Sequence, residues 1–271
     1  MQLSNSQSLF RVALVIAVLV MVASSWLAPL DTTANQQVDA GLKRALISFA
    51  TARALNAVIS VAQGTEVAVE PAGVGVIFTP GQILDPVNDL VEQFSNLMLV
   101  ASVAFGIQKV LLSIGAYWGI SLVLTLTALA WVYRTLRQQP SPTWLAKILV
   151  VLLLIRFAIP VVTIGTELLF QQFMARDFQA SQQVIDNASG NLGKLNPPAE
   201  TAQPNPGMIE SVKSWWSQTG NVKLRFEQLK QTAEQTVENI IKLMAIFVLQ
   251  TLIIPLLLLW VLYRVARRML A

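Results

Sequence analysis

LAKILVVLLLIRFAIPVVTIGTELLF, residues 145–170, is the stretch that decides the fold class. About 20 apolar residues suffice to cross the hydrocarbon core of a bilayer, and this run is longer. It carries Arg156 near its middle and Pro160 one turn later. Arginine at the centre of a span costs about 2.5–3.5 kcal/mol on insertion scales, so such a residue turns toward protein or water. Pro160 has no N–H to give and leaves the Arg156 carbonyl without its helical partner. A buried cation and a broken backbone bond are therefore expected on one helix.

The composition of the 271-residue chain agrees with a membrane location. It is 54% hydrophobic and 13% charged, roughly half the charge of an ordinary soluble domain. Its mean hydropathy is +0.58. The chain has no Cys and no His. That excludes disulfides, thiolate nucleophiles, Cys/His zinc sites and imidazole acid–base chemistry. The net charge of +4 is not gathered into a nucleic-acid patch. No cofactor, metal or nucleic-acid partner is expected.

Outward from the central run, the chain divides by hydropathy. Residues 12–30 are uncharged and end at Trp26, Leu27 and Pro29. They read as an uncleaved anchor, residues 1–30. A cleavable signal peptide ending near Ala23-Ser24-Ser25 is the alternative. Either way residue 31 onward lies across the membrane. In the region 31–113, Val38, Leu42, Leu46 and Phe49 recur at helical spacing, which predicts a helix over 36–62. Alternating Val67/Val69 and Val74/Val76/Phe78 flank Glu70-Pro71-Ala72-Gly73 and predict a small β-hairpin over 65–79. Gly73-Val74-Gly75 lacks the strand–helix context of a nucleotide loop. Residues 86–113 carry a polar stripe at Asp89, Glu92, Asn96, Ser102, Gly106, Lys109 and Ser113, which predicts an amphipathic helix packed on the membrane assembly. The alternative is a further span turning at Gly115.

Residues 115–134 form a second span with aromatics at both ends. A basic loop over 135–144, kept from being one helix by Pro140 and Pro142, leads to the span 145–170. Residues 171–242 then predict a helical hairpin with a Pro-rich connection at 191–207. Phe226, Leu229, Val237 and Ile240 fall at coiled-coil spacing and form a candidate assembly face. The last span, 243–263, is stopped by the basic tail 264–271.

Charge sorting supplies the orientation. Arg11, Arg134, Arg137, Lys147, Arg264, Arg267 and Arg268 occupy the N-terminus, the 134–147 loop and the tail, without a single Asp or Glu. Lys and Arg favour the cytoplasmic side. Both termini are therefore expected in the cytoplasm of a bacterium, in an inner-membrane, all-α polytopic protein of about four transmembrane helices.

Candidate functional residues are few. Arg156 is either an ion contact or a structural donor to freed carbonyls. Pro255, counted inward from the cytoplasmic borders, falls at the same depth and frees the carbonyl of Thr251 beside Gln250. Arg156, Pro160, Gln250, Thr251 and Pro255 thus form a candidate polar site. The acids Glu66/Glu70 and Asp85/Asp89/Glu92 suit a turn and a helix start. Trp215-Trp216 suits a bilayer surface. No nucleophile–base–orienter set can be assembled, so an enzyme is not expected. The composition and pattern point to a membrane scaffold or complex subunit that meets lipid and either its own copies or a membrane-protein partner. The runner-up is an oligomeric channel.

Overall fold

The structure, a computed structural model, describes residues 3–63, 67–69, 76–78, 81–137, 139, 142–194 and 222–270. The described residues are helical apart from two three-residue strands and short breaks or turns at 28, 116–117, 137, 139, 142 and 174. Helix α1 covers Leu3–Leu27, α2 Pro29–Gln63, α3 Gly81–Gly115, α4 Trp118–Leu136, α5 Thr143–Phe173 and α6 Ala175–Lys194. Helix α7 (Val222–Val248) passes through a π-helical turn, Leu249–Ile253, into α8 (Ile254–Leu270). Val67–Val69 pairs antiparallel with Val76–Phe78, Val67 opposite Phe78. The turn expected at 70–73 lies outside the described residues. A three-residue pairing alone does not amount to the hairpin expected over 65–79, because two isolated strands are marginal in water.

Four helical stretches are each long and apolar enough to cross a bilayer: Asp85–Gly115, Trp118–Leu136, Thr143–Phe173 and Gln231–Arg268. Val12–Leu27 and Pro29–Ser60 qualify together as a pair bent by 57°. The number matches the sequence expectation, but one member differs. Helix α3, read above as amphipathic, qualifies by itself, whereas residues 12–30 qualify only jointly with α2. The polar stripe on α3 is also narrower than expected, since Ser102 is buried and the exposed face carries Val103, Ile107, Val110 and Ile114.

The chain forms two compact units. The first comprises Met1–Leu42, Val103–Gln172 and Leu249–Ala271. Its core joins Val18 of α1, Leu124, Ala128 and Val132 of α4, and Leu149 of α5, with Met21, Trp131, Leu153 and Phe157 packed around them. Ser25 meets Ser121, and Trp26 Nε1 donates to Thr125 Oγ1 at 2.9 Å. Helix α1 therefore runs antiparallel to α4 and parallel to α5. That arrangement brings the start of α1, the end of α4 and the start of α5 to the same end of this unit.

The second unit comprises Lys43–Ser102 and Phe173–Val248. Here α6 packs along α7, with Phe178 edge-on to Phe247 at 5.9 Å between centroids. Helix α2 joins α6 through Ser48 Oγ to Gln182 Oε1 at 2.7 Å and Thr51 Oγ1 to Asp186 Oδ1 at 3.0 Å.

The buried positions of α2 are Asp31, Ala34, Val38, Ala45, Ser48, Ala52, Leu55 and Ile59. They keep to steps of three and four, with Gly41 filling the gap in the series, and mark a seam of helices packed side by side. This corrects the predicted face. Of Val38, Leu42, Leu46 and Phe49, only Val38 is buried, and Leu46 is 47% exposed. The seam is built from small residues that let the neighbouring helices close in, and large apolar residues do not mark it. On α3 the buried set Val87, Val91, Phe94, Met98, Ala101, Phe105 and Leu112 has the same period.

Candidate functional site

The break between α1 and α2 is a consequence of two adjacent residues. Ala28 has φ of 49°, a left-handed conformation that costs a non-glycine residue roughly 1–2 kcal/mol. Pro29 opens α2 at the first helical position, where its fixed φ suits the start of a helix. Having no N–H, Pro29 cannot donate to the carbonyl four residues earlier, that of Ser25. This carbonyl would be an orphan inside the protein.

Arg156 takes it. Its Nη2 donates to the Ser25 carbonyl at 3.0 Å and its Nε to Ser25 Oγ at 3.2 Å. Nη1 donates to Asp31 Oδ1 at 2.7 Å, and Nη2 also reaches Asp31 Oδ2. The guanidinium fork thus grips the carboxylate with two nitrogens, the geometry that makes Arg–carboxylate pairs strong. Arg156 is 1% exposed and Asp31 6%. Ser25 Oγ donates in turn to Ser121 Oγ of α4 at 2.7 Å. Gly115, at the end of α3, approaches the Ile155 carbonyl so closely that an added Cβ would stand 3.4 Å from it. Helices α1, α2, α4 and α5 are tied at one level by this group, and α3 ends beside it.

That level is not the middle of the α1–α4–α5 core. Ser121 lies in the first turn of α4 and Ser25 in the last turn of α1. Arg156 sits about 20 Å along α5 from Thr143 at 1.5 Å per residue. Since α5 has 31 residues and α4 only 19, the midpoint of the longer helix coincides with the end of the shorter one.

The expected acceptors are corrected accordingly. The chemistry inferred from sequence, an arginine serving a proline-freed carbonyl, is present, but the proline is Pro29. Gln250 does not meet Arg156. Its Nε2 donates to Glu167 Oε2 at 3.3 Å, three helical turns further along α5, and Gln171 Nε2 donates to Glu167 Oε1 at 3.2 Å. Pro255 lies in α8, immediately after the π-helical turn that contains Gln250 and Thr251. A π-turn shifts the backbone register by one residue, which is one way to accommodate the donor that Pro255 lacks. Pro160 is buried within an unbroken α5.

Asp31 and Glu167 were given no role by the sequence. One signal pointed to Glu167: Arg156, Pro160, Thr163, Glu167 and Phe170 share one face of α5 by spacing, and all five are buried. Arg134 and Arg267 lie in the last turns of α4 and α8. Arg137 stacks on Tyr133 at 4.8 Å and Arg264 on Trp260 at 5.1 Å, and Lys147 and Arg268 are exposed. On the assembly face Ile240 is fully buried and Val237 partly so. Phe226 and Leu229 belong to α7, with side chains outside the described residues. Asp85, Asp89 and Glu92 are exposed on α3, while Glu66, Glu70 and Trp215-Trp216 lie outside the described residues. Among the described residues no group of three or more acids could hold a metal ion.

The arrangement can hold helices in register and can neutralise one buried cation. No family model, curated protein or solved structure matches the chain.

Proposed function

We propose that this chain is a non-enzymatic scaffold or subunit of a bacterial inner-membrane assembly, with both termini in the cytoplasm and outer helices that meet its own copies or a partner. The observation that carries this reading is the closure of Arg156, 1% exposed and bonded to Ser25 and Asp31. A cation that satisfies a helix break and is matched by its own carboxylate acts as a pin between helices. The orientation rests on the acid-free basic segments at 134–147 and 264–271. Cysteines placed at 138 and 269 should react only with membrane-permeant reagents in intact cells, and cysteines at 35 and 200 with impermeant ones. Labelling of 138 from outside would reverse the topology.

The runner-up is an oligomeric channel with Arg156 and the Pro160 and Pro255 helices near its path. It is favoured by the π-helical turn before Pro255 and by the buried Glu167–Gln250 contact, since π-turns concentrate at functional sites. Conductance of reconstituted bilayers, with wild type compared to Arg156→Gln at equal protein, separates the two. The scaffold reading expects no current from either protein. A current whose ion selectivity shifts in Arg156→Gln would replace the scaffold with the channel.

A further inference from the structure

Helices α2 and α3 lie side by side in the first unit. The Phe105 ring covers Gly41, where an added Cβ would stand 2.4 Å from it. Close by, Lys109 Nζ donates to Asp39 Oδ1 at 2.6 Å, both side chains half exposed. Around this contact the exposed faces of the two helices have opposite chemistry. On α3, Val103, Ile107, Val110, Leu111 and Ile114 are each 40–59% exposed. On α2, the exposed residues over the same stretch are Thr32, Thr33, Gln36 and Asp39.

One occupant covers the α3 face along its whole length. Between residues 93 and 133 Lys109 is the only charge. The exposed apolar row continues from Ile114 through Tyr117 and Trp118 into Leu122, Val123, Leu126 and Leu129 of α4. Hydrocarbon fits such a surface without needing a matching shape, and from Val103 to Ile114 the exposed residues are apolar apart from Lys109 and Ser113. Lys109 reaches out of this face to a carboxylate on the neighbouring helix, as long cationic side chains do to escape lipid. The α2 face cannot share that environment. The Thr32 and Thr33 hydroxyls donate to the Ala28 and Pro29 carbonyls, but the half-exposed Lys109–Asp39 pair and the exposed Gln36 amide would lose water to hydrocarbon without replacement.

We propose that the α2–α3 pair is a wall with lipid against α3 and water against α2, so that Thr32, Thr33, Gln36 and Asp39 border an aqueous vestibule beginning one residue from buried Asp31. The pair Lys109–Asp39 is its seam. The vestibule admits water and small dissolved ions. It stands whether the chain acts as a scaffold or a channel.

The chain has no native Cys, so spin labels can be placed singly at Thr33, Gln36, Val103 and Val110 of the full chain in liposomes. The readout is relaxation by oxygen, which concentrates in lipid, against a water-soluble nickel chelate. Labels at 103 and 110 should respond more to oxygen, and labels at 33 and 36 more to the chelate. Two sites per face keep one locally disturbed variant from deciding the result. Chelate-dominated relaxation at 103 and 110 would overturn the lipid contact. Protection of both from either reagent would also overturn it, because a second copy would then cover α3. Oxygen-dominated relaxation at 33 and 36, or protection of both from the chelate, would remove the vestibule.

Discussion

Replacing Asp31 by Leu tests the central contact of the first unit. The substitution puts an apolar side chain of similar reach at this position and removes the carboxylate that Nη1 and Nη2 of Arg156 grip. The guanidinium stays 1% exposed, with only the Ser25 carbonyl and hydroxyl among its named acceptors. Breaking a buried pair from one side costs about 3–5 kcal/mol, because a charge is left uncompensated. Asp31→Asn retains an acceptor and should cost less, about 1.5–3 kcal/mol, the worth of a hydrogen bond to a charged group. The double variant Asp31→Leu/Arg156→Met removes both charges and should recover most of the loss, leaving the cost of a Ser25 carbonyl whose remaining donor is Ser121 Oγ at 3.4 Å. Unfolding of the purified full chain in mixed micelles, followed by tryptophan fluorescence, gives these three values and that of Arg156→Met alone, which completes the cycle. Raising the salt concentration should leave the differences unchanged, because buried pairs are barely screened. If Asp31→Leu costs under about 1 kcal/mol, or if the double variant equals the sum of the singles, the pair is not coupled as described.

Three further substitutions probe other parts of the chain. Ala28→Gly relieves the left-handed conformation at φ 49° and should stabilise the protein by up to about 1 kcal/mol, after the entropy that glycine adds to the unfolded chain; a loss of stability in the same unfolding assay would show that Ala28 is unstrained. Ile240→Asp places a charge at a fully buried position of the second unit and should cost several kcal/mol or prevent accumulation of folded protein; an unchanged melting temperature and oligomer size would show that the face is open. Gly41→Val adds branches where even a Cβ would stand 2.4 Å from the Phe105 ring, and overpacking of this kind costs roughly 1–3 kcal/mol; a neutral result would mean that Phe105 swings aside freely.

Much of the helical organisation was legible because long apolar runs have few alternatives. Residues 115–134 and 145–170 correspond to α4 and α5 within a few residues, and the 171–242 region does contain two paired helices, α6 and α7. What failed was depth. Counting inward from the charged borders assumes that each span is centred on the same plane. Helix α5 continues well past the ends of α1 and α4, so Pro255 and Arg156 did not meet. The face of α2 failed for another reason. Ala34, Gly41, Ala45, Ser48 and Ala52 carry too little apolar area to register as a stripe, yet small side chains let helices approach closely. The partner of Arg156 is a matter of tertiary structure, since Asp31 and Arg156 are 125 residues apart. Still, Pro29 announced a vacant acceptor at Ser25 as plainly as Pro160 did at Arg156.

A buried ion pair is weak evidence of stability in general, because desolvating two charges can outweigh their attraction. Its position here changes that balance. Arg156 lies at the C-terminal end of α1, where the last carbonyls concentrate partial negative charge, and it bonds directly to one of them. Asp31 lies in the first turn of α2, where exposed N–H groups concentrate partial positive charge. Each member is therefore favoured by the helix end it occupies as well as by its partner, and such dipole contributions reach about 2 kcal/mol in partly buried sites. An apolar replacement of both residues would forfeit the two dipole terms and leave the Ser25 carbonyl only a long bond from Ser121 Oγ at 3.4 Å, so it should not outperform the native pair as apolar substitutes do elsewhere. The bend at Ala28 and the pair are consequently one device. Pro29 creates the vacancy, Arg156 fills it from α5, and Asp31 makes the cation tolerable, which fixes the direction in which α2 leaves the end of α1.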